Sequence, residues 1–253
     1  MNIDAYLERI NYSGSLAPTA ETLRALQVAH LFAVPFENLS IHAHEPIVLE
    51  DEALFAKVVG GRRGGFCYEV NGLFCALLRA LGFDVVMLSA EVANQEGAFS
   101  APFDHMALMV RLKQRWLVDV GFGDSFVEPL LLDETGEQLQ KVGAFRIVAD
   151  GNYYILSRRG SGAGDEWKAQ YRFTLQPHEY ADYKARCLYQ ETSPQSHFTQ
   201  GRLCSRATEN GRITLSEMRL ITTSDSERDE RTLLSDDEYR TTLRDRFGVV
   251  MKG

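Results

Sequence analysis

The sequence predicts an α+β protein, with helices first, strands next and a mixed tail. Three observations carry this prediction. Up to about residue 80, apolar side chains recur at helical spacing between short connections. From Asp84 onward the pattern changes to Val- and Leu-rich runs separated by turn residues. Strands and helices do not alternate as they do in parallel βαβ units.

The totals set the outer bounds. The chain has 253 residues, 45% hydrophobic and 25% charged, enough for a sizeable core. A net charge of −8 argues against a nucleic-acid partner, which calls for a basic face. No run approaches the roughly 20 apolar residues of a membrane span, so no membrane partner is expected. The N-terminus lacks a basic stretch followed by an apolar run, so no secretory signal is expected. Cys67, Cys75, Cys187 and Cys204 form no C-x-x-C pair and read as reduced thiols of a cytoplasmic protein. No histidine or cysteine cluster has zinc-ligand spacing, so no metal is expected.

In chain order, Ile3, Tyr6, Leu7 and Ile10 form one face of a short helix over 3–10. Thr19 reads as the N-cap of a second helix, which Pro35 ends. His30 lies on that helix's apolar stripe and reads as a partly buried packing residue. The segment Val34-Pro35-Phe36-Glu37-Asn38-Leu39 reads as a loop that exposes an aromatic beside a carboxylate. Residues 51–59 form another short helix. Val70, Phe74, Leu77, Leu78 and Leu81 give a helix from Cys67, with Gly82 as its left-handed stop. Strands follow at 84–93, 105–110, 115–120, 144–149, 153–157 and 167–174, with a flexible turn at 160–165. Residues 177–189 read as a helix. The tail offers strands at 202–208, 212–215 and 218–222, a solvated charged turn over 225–231, and a helix from the capping-box pattern at Ser235 to about Phe247.

The chemistry centres on Cys67. A thiol in the first helical turn sits in the positive field of unpaired N–H groups, which favours a thiolate. Gly64 and Gly65 precede it and keep side chains off the backbone, leaving room for a ligand. A single such cysteine is more often a buried structural thiol, so a base and an orienting acid are required. His105 begins a strand after a Gly/Pro-containing loop, and Asp119 lies near the end of the next. A three-residue connection at Arg111-Leu112-Lys113 sets the two directly opposite; a two-residue turn sends them to opposite faces. The hairpin therefore permits the triad without requiring it. Arg63 could pair with Glu37, or both could be unrelated surface charges. Phe36, Phe66, Phe122 and Phe198 could line an apolar pocket, although each alone is more often core.

Several stretches together resemble the arylamine N-acetyltransferases over nearly the whole chain. They are Tyr6-Leu7-Glu8-Arg9-Ile10, Val34-Pro35-Phe36-Glu37-Asn38-Leu39, Arg63-Gly64-Gly65-Phe66-Cys67, Glu69-Val70-Asn71-Gly72-Leu73-Phe74, Leu81-Gly82-Phe83, His105, and Leu117-Val118-Asp119-Val120-Gly121-Phe122-Gly123. The match weakens after about residue 190. The resemblance implies a Cys67–His105–Asp119 triad in a cysteine-protease-like core. It also implies a helical bundle over 1–82, a β-barrel over 83–190 and an α/β lid over 191–253. Phe36, Phe122 and Phe198 would bind the acceptor, with Arg63, Glu37, Gly64 and Gly65 as structural support of the site. The implied activity is ping-pong acetyl transfer from acetyl-CoA to arylamines, arylhydrazines or N-hydroxyarylamines, with no permanently bound cofactor, by a monomer or homodimer. Two alternatives stand beside it. One is a thiol acyltransferase, amide synthase or hydrolase that uses the same triad on another acyl donor. The other is a binding protein that keeps the fold without the chemistry.

Overall fold

The computed structural model describes residues 1–160, 164–224 and 227–251. Helices come first: α1 (Ile3–Arg9), α2 (Ala20–Ala33), α3 (Leu39–His42), α4 (Asp51–Phe55) and α5 (Cys67–Ala80). Thr19 caps α2, its side chain accepting from the Thr22 N–H at 3.2 Å. Val34 is extended, as a residue before proline prefers, and α2 stops there. A wide π turn over Ala56–Gly60 continues α4. Every α5 residue from Cys67 to Leu78 is buried, so this helix is the axis of the first core. It ends at Leu81, and Gly82 takes a left-handed φ of 85°.

The first sheet holds β2 (Asp84–Val92), β3 (His105–Arg111), β4 (Arg115–Val118), β5 (Leu130–Leu131), β6 (Gln138–Gln140), β7 (Gly143–Asp150), β8 (Tyr153–Arg159) and β9 (Lys168–His178). Their order is β5-β4-β3-β2-β9-β8-β7-β6. The two end strands meet through side chains. The Gln138 amide donates to the Leu131 carbonyl (2.8 Å) and accepts from the Leu131 N–H (2.7 Å). Gln140 accepts from the Val127 and Glu128 N–H groups and donates to the Glu128 carbonyl. These amides imitate a peptide ladder and nearly close an eight-stranded barrel. Leu88, Ala107, Leu117, Phe145, Leu156 and Phe173 fill it. The outer face of β2 and β3 (Val85, Met87, Met106, Leu108 and Val110) packs with α5 in the helical core. Strand β3 is thus buried on both faces up to Val110, which explains its unbroken apolar run.

Next come α6 (Tyr180–Thr192), β10 (Leu203–Thr208), β11 (Gly211–Ser216), β12 (Arg219–Ser224), β13 (Glu227–Thr232) and α7 (Asp236–Thr242), which a π turn extends to Phe247. Ser235 caps α7. Helix α6 joins the helical core through Tyr183 and Cys187. The second sheet runs β1-β10-β11-β12-β13, where β1 is Phe36–Glu37 from the N-terminal region. Its own core includes Leu39, Cys204, Ile213, Leu215, Tyr239, Leu243 and Phe247.

Several sequence expectations change. Phe36-Glu37 is a strand, not an exposed loop, and Glu37 is fully buried. His30 is completely buried, its Nδ1 2.9 Å from the Tyr6 hydroxyl. The expected helix at 177–189 starts at Tyr180, because β9 runs on through Pro177. A bulge between Leu88 and Ala90 lies opposite this proline, and bulges tolerate the missing N–H. In the charged run 225–231, residues 225–226 lie outside the described residues, and the remainder belongs to the fully exposed edge strand β13. Its charges suit an edge that must not recruit another chain. Of the expected turn at 160–165, residues 161–163 lie outside the described residues.

Candidate active site

Cys67 opens α5. The Glu69 carboxylate holds the preceding Phe66 N–H at 3.1 Å, and Lys57 in turn holds Glu69 at 2.6 Å. His105 opens β3, and Asp119 follows β4. The connection between these strands has three residues, but they are Leu112-Lys113-Gln114, with Arg111 paired to Arg115. That is one residue later than the expected Arg111-Leu112-Lys113. The register therefore moves by two, which preserves the face. Asp119 is diagonal to His105, not directly opposite, and the imidazole spans the gap: Nε2 lies 2.7 Å from Asp119 Oδ2. The same ring also interacts with the Cys67 side chain. Because Nε2 serves Asp119, the nitrogen toward sulfur is Nδ1.

Asp119 is buried and accepts three further hydrogen bonds. Tyr171 donates its hydroxyl to Oδ2 at 3.0 Å, and Asn71 Nδ2 (2.9 Å) and the Gly121 N–H (2.8 Å) donate to Oδ1. Burial opposes the charge on Asp119. The His105 charge and these donors outweigh it and hold the carboxyl below its usual range. For His105, burial likewise opposes protonation. Asp119, followed by the contacts with Cys67, raises the ring to about 10. Asn71 also donates to the Met106 carbonyl (2.6 Å) and accepts from the Val120 N–H (2.8 Å), so α5 fixes both sides of the hairpin. A Cβ on Gly121 would sit 2.8 Å from Cys67 Cα, so glycine allows the hairpin to close on the nucleophile helix.

Arg63 and Glu37 form a buried two-pronged ion pair, Nε–Oε1 at 2.8 Å and Nη2–Oε2 at 3.2 Å. Glu37 also accepts from the Leu39 and Gly64 N–H groups. The glycines make room for protein and not for a ligand. A Cβ on Gly64 would lie 1.9 Å from the Pro35 carbonyl oxygen, and one on Gly65 2.5 Å from Glu69 Oε2.

A cavity of about 420 Å³ opens onto Cys67 and His105, and Phe36, Phe122 and Phe198 are among its walls. Phe122 stands edge-on to the His105 ring at 5.2 Å. Phe198 touches Phe36 and Phe66, and Asn38 and His42 pin its carbonyl. Phe66 is fully buried core.

Sequence reasoning missed Tyr171, the role of Asn71, and Arg9. Arg9 donates to the carbonyls of Ala33, Val58, Arg62 and Arg63 and so braces the turn before the nucleophile. Asn71 gave a usable signal, since a lone amide inside an apolar helix needs buried partners. Tyr171 gave none beyond strand alternation.

A buried thiol, an imidazole beside it and a carboxylate hydrogen-bonded to that imidazole match the requirements of a cysteine-dependent acyl-transfer enzyme. The family model described as N-acetyltransferase matches residues 19–253, and the chain belongs to the arylamine N-acetyltransferase family. It is 37% identical to an arylamine N-acetyltransferase of Mycolicibacterium smegmatis over 85% of this chain and 80% of that protein. It is 35% identical to the proansamycin X synthase of Amycolatopsis mediterranei over 96% of this chain and 95% of that protein. The solved structure of Mycobacterium marinum arylamine N-acetyltransferase in complex with CoA superposes with a TM-score of 0.89 at 33% identity, covering 98% of this chain and 93% of that one. The family model therefore extends through the tail, where the motif match had weakened.

Proposed function

We propose that Cys67 carries an acetyl group from acetyl-CoA to the nitrogen of arylamines, arylhydrazines or N-hydroxyarylamines. The carrying observation is the line from the Cys67 thiol through His105 to Asp119, set in the wall of a phenylalanine-lined cavity. His105 holds the proton that the Cys67 sulfur gives up as it reacts. The sulfur attacks the thioester carbonyl, and N–H groups in the first turn of α5 donate to the developing oxyanion. The C–S bond to CoA breaks, His105 supplies the departing sulfur with a proton, and acetyl-Cys67 remains. An arylamine then enters with its ring among Phe36, Phe122 and Phe198. Its nitrogen attacks the thioester, neutral His105 takes the nitrogen's proton, and the cysteine sulfur leaves. The order is ping-pong. Asp119 keeps the ring oriented through both halves, while Arg63, Glu37, Gly64 and Gly65 hold the backbone beneath Cys67.

The same reading divides the chain into a helical unit to residue 82, a barrel to 190 and a lid beyond. The three apolar cores support it, with α6 lying against the helical unit. It places the enzyme in the cytoplasm as a monomer or homodimer, and the four buried free cysteines support a reducing compartment. Among the described residues, no helix is long and apolar enough to cross a membrane.

Acetyl-CoA alone, without acceptor, should release free CoA and leave an acetyl adduct that peptide mapping places on Cys67. Cys67→Ala should fall at least about ten-thousand-fold in turnover while unfolding at the wild-type temperature. Release of CoA by this variant at the wild-type rate would sink the nucleophile assignment. A second reading, transfer of a different acyl group by the same residues, is favoured by the synthase among the relatives. Failure of acetyl-CoA to acylate Cys67, with success of another thioester, would select it.

A further inference from the structure

We infer that Asp104 is a positioning residue: through Gln190 and Ser196 it locks the turn that carries His105 to the wall segment that carries Phe198, and the locked wall reserves acetyl-Cys67 for an amine in place of water. The inference rests on the acetyl-transfer reading of Cys67 and adds how the intermediate survives until the acceptor arrives.

The turn before His105 is held in an unfavourable shape. Phe103 has a left-handed φ of 65°, which a bulky side chain adopts only when its surroundings impose it. Its two backbone polar groups are both tied. The N–H donates to Ser89 Oγ at 2.8 Å, and the carbonyl accepts from the Tyr68 hydroxyl at 2.7 Å. Tyr68 directly follows Cys67, so the residue beside the nucleophile grips the turn beside the base. The Phe103 ring packs edge-on against Tyr183 of α6 at 5.2 Å.

Asp104 then fastens this turn to α6 by its side chain. One oxygen, Oδ1, accepts from Arg186 Nε (2.8 Å), Arg186 Nη2 (2.6 Å) and Gln190 Nε2. Arg186 answers the charge of a carboxylate that is only 10% exposed. Gln190 adds a link onward. Its Oε1 accepts from the Ser196 hydroxyl, and Ser196 Oγ accepts from the Phe198 N–H at 3.2 Å. Gln190 and Ser196 are both buried, so solvent does not substitute for these contacts. The relay therefore runs unbroken from the residue before His105 to the backbone of Phe198. Asp104 and Phe198 line the same cavity as Cys67 and His105, so the relay joins two stretches of its wall.

An acetyl thioester is open to water as well as to an amine. In hydrolysis the water oxygen bonds to the acetyl carbon and the C–S bond breaks. One water proton passes through His105 to the sulfur, and acetic acid leaves and gives its proton to solvent. The same base serves both nucleophiles, so the choice between them falls to the wall. A wall held in one place leaves fewer positions for water and keeps a ring face ready for an aromatic amine.

Enzyme acetylated with acetyl-CoA and freed of CoA is followed by intact mass in buffer and with added aniline, which gives the rates of loss to water and to amine. Wild type should transfer to saturating aniline far faster than it hydrolyses. Asp104→Ala should lower the amine-to-water ratio about ten-fold, the worth of one hydrogen bond to a charged group. Asp104→Asn, which keeps an acceptor oxygen, should lower it less. Ser196→Ala cuts the relay at its far end and should lower the ratio as well. The double variant should fall no further than Asp104→Ala alone, because both residues sit on one relay. Wild-type acetyl-enzyme that hydrolyses as fast as it transfers, which needs no variant to measure, overturns the inference. So does a fall of both rates in Asp104→Ala with the ratio unchanged, the mark of a residue that only supports the fold, or fully additive effects in the double variant. Absence of acetyl-Cys67 in the wild type is a different failure, that of the acetyl-transfer reading itself.

Discussion

The two ends of the cavity are built on opposite terms. At the Cys67 end the buried charges are saturated with partners. Asp119 accepts four hydrogen bonds, from His105, Tyr171, Asn71 and Gly121. Glu37 also accepts four, two from Arg63 and one each from Leu39 and Gly64. At the Arg212 end, one exposed carboxylate serves two arginines, and two hydroxyls face each other. Burial explains the contrast. A charge removed from water is tolerated only when every lone pair is answered, whereas the exposed Asp124 carboxylate is answered by solvent as well. Reaction geometry is thus held by redundancy.

Asp119→Asn strikes the saturated end hardest. It preserves shape but removes the charge that orients and protonates His105. Turnover should fall about a thousand- to ten-thousand-fold, as when a triad carboxylate is neutralised elsewhere. Activity within ten-fold of wild type would remove the orienting role. The same change tests the pH dependence of stability. His105 sits at about 10 in the folded protein, above its ordinary value of about 6.5. The folded state therefore holds this proton more tightly than the unfolded chain. The resulting stabilisation is complete below about pH 6.5 and is lost as pH rises through about 10. Asp119, held low, contributes in the opposite sense: its share is present above its ordinary value of about 3.9 and lost as pH falls. Urea unfolding across the alkaline range should show wild-type stability declining, with a flatter slope in Asp119→Asn.

Arg63→Met tests the same redundancy through stability. It leaves Glu37 fully buried without its cation, which should cost about 3–5 kcal/mol. Adding Glu37→Gln should recover part of the loss, because the stranded charge is gone. Equal loss in single and double variants would contradict a desolvation origin. The smallest effect is expected where solvent answers every charge. The Arg219–Glu230 pair between β12 and β13 is exposed on both sides, so Arg219→Ala should change stability by no more than about 0.5 kcal/mol. A larger change in thermal unfolding would mean that this edge bears load.

Legibility follows the range of the interactions. Helices α2, α5 and α7 could be read because Thr19, the apolar stripe from Val70 and Ser235 act within a few residues of themselves. Strand β1 could not, because two residues become a strand only when β10, more than 160 positions away, lies beside them. The same holds for β6, whose glutamines close the barrel against Leu131 and Glu128. Pro177 suggested a helix start, and only the bulge in β2 made room for it in β9. The glycines before Cys67 suggested space for a ligand, and only the packed Pro35 carbonyl and Glu69 side chain show what they accommodate.

By itself the sequence determined the order of elements, the helix that begins at Cys67, and the choice of Cys67, His105 and Asp119 as the residues to bring together. Periodicity and capping are local, and the ordered motifs carry the family. Tertiary structure decided that the hairpin loop sits at Leu112-Lys113-Gln114, which places Asp119 diagonally across from His105 on the same face. It also decided that Tyr171 and Asn71 complete the carboxylate's shell, and that Arg212 enters the cavity from a strand some 145 residues after Cys67. Side-chain direction in a sheet depends on register, and register is set by the partner strand and the core it covers.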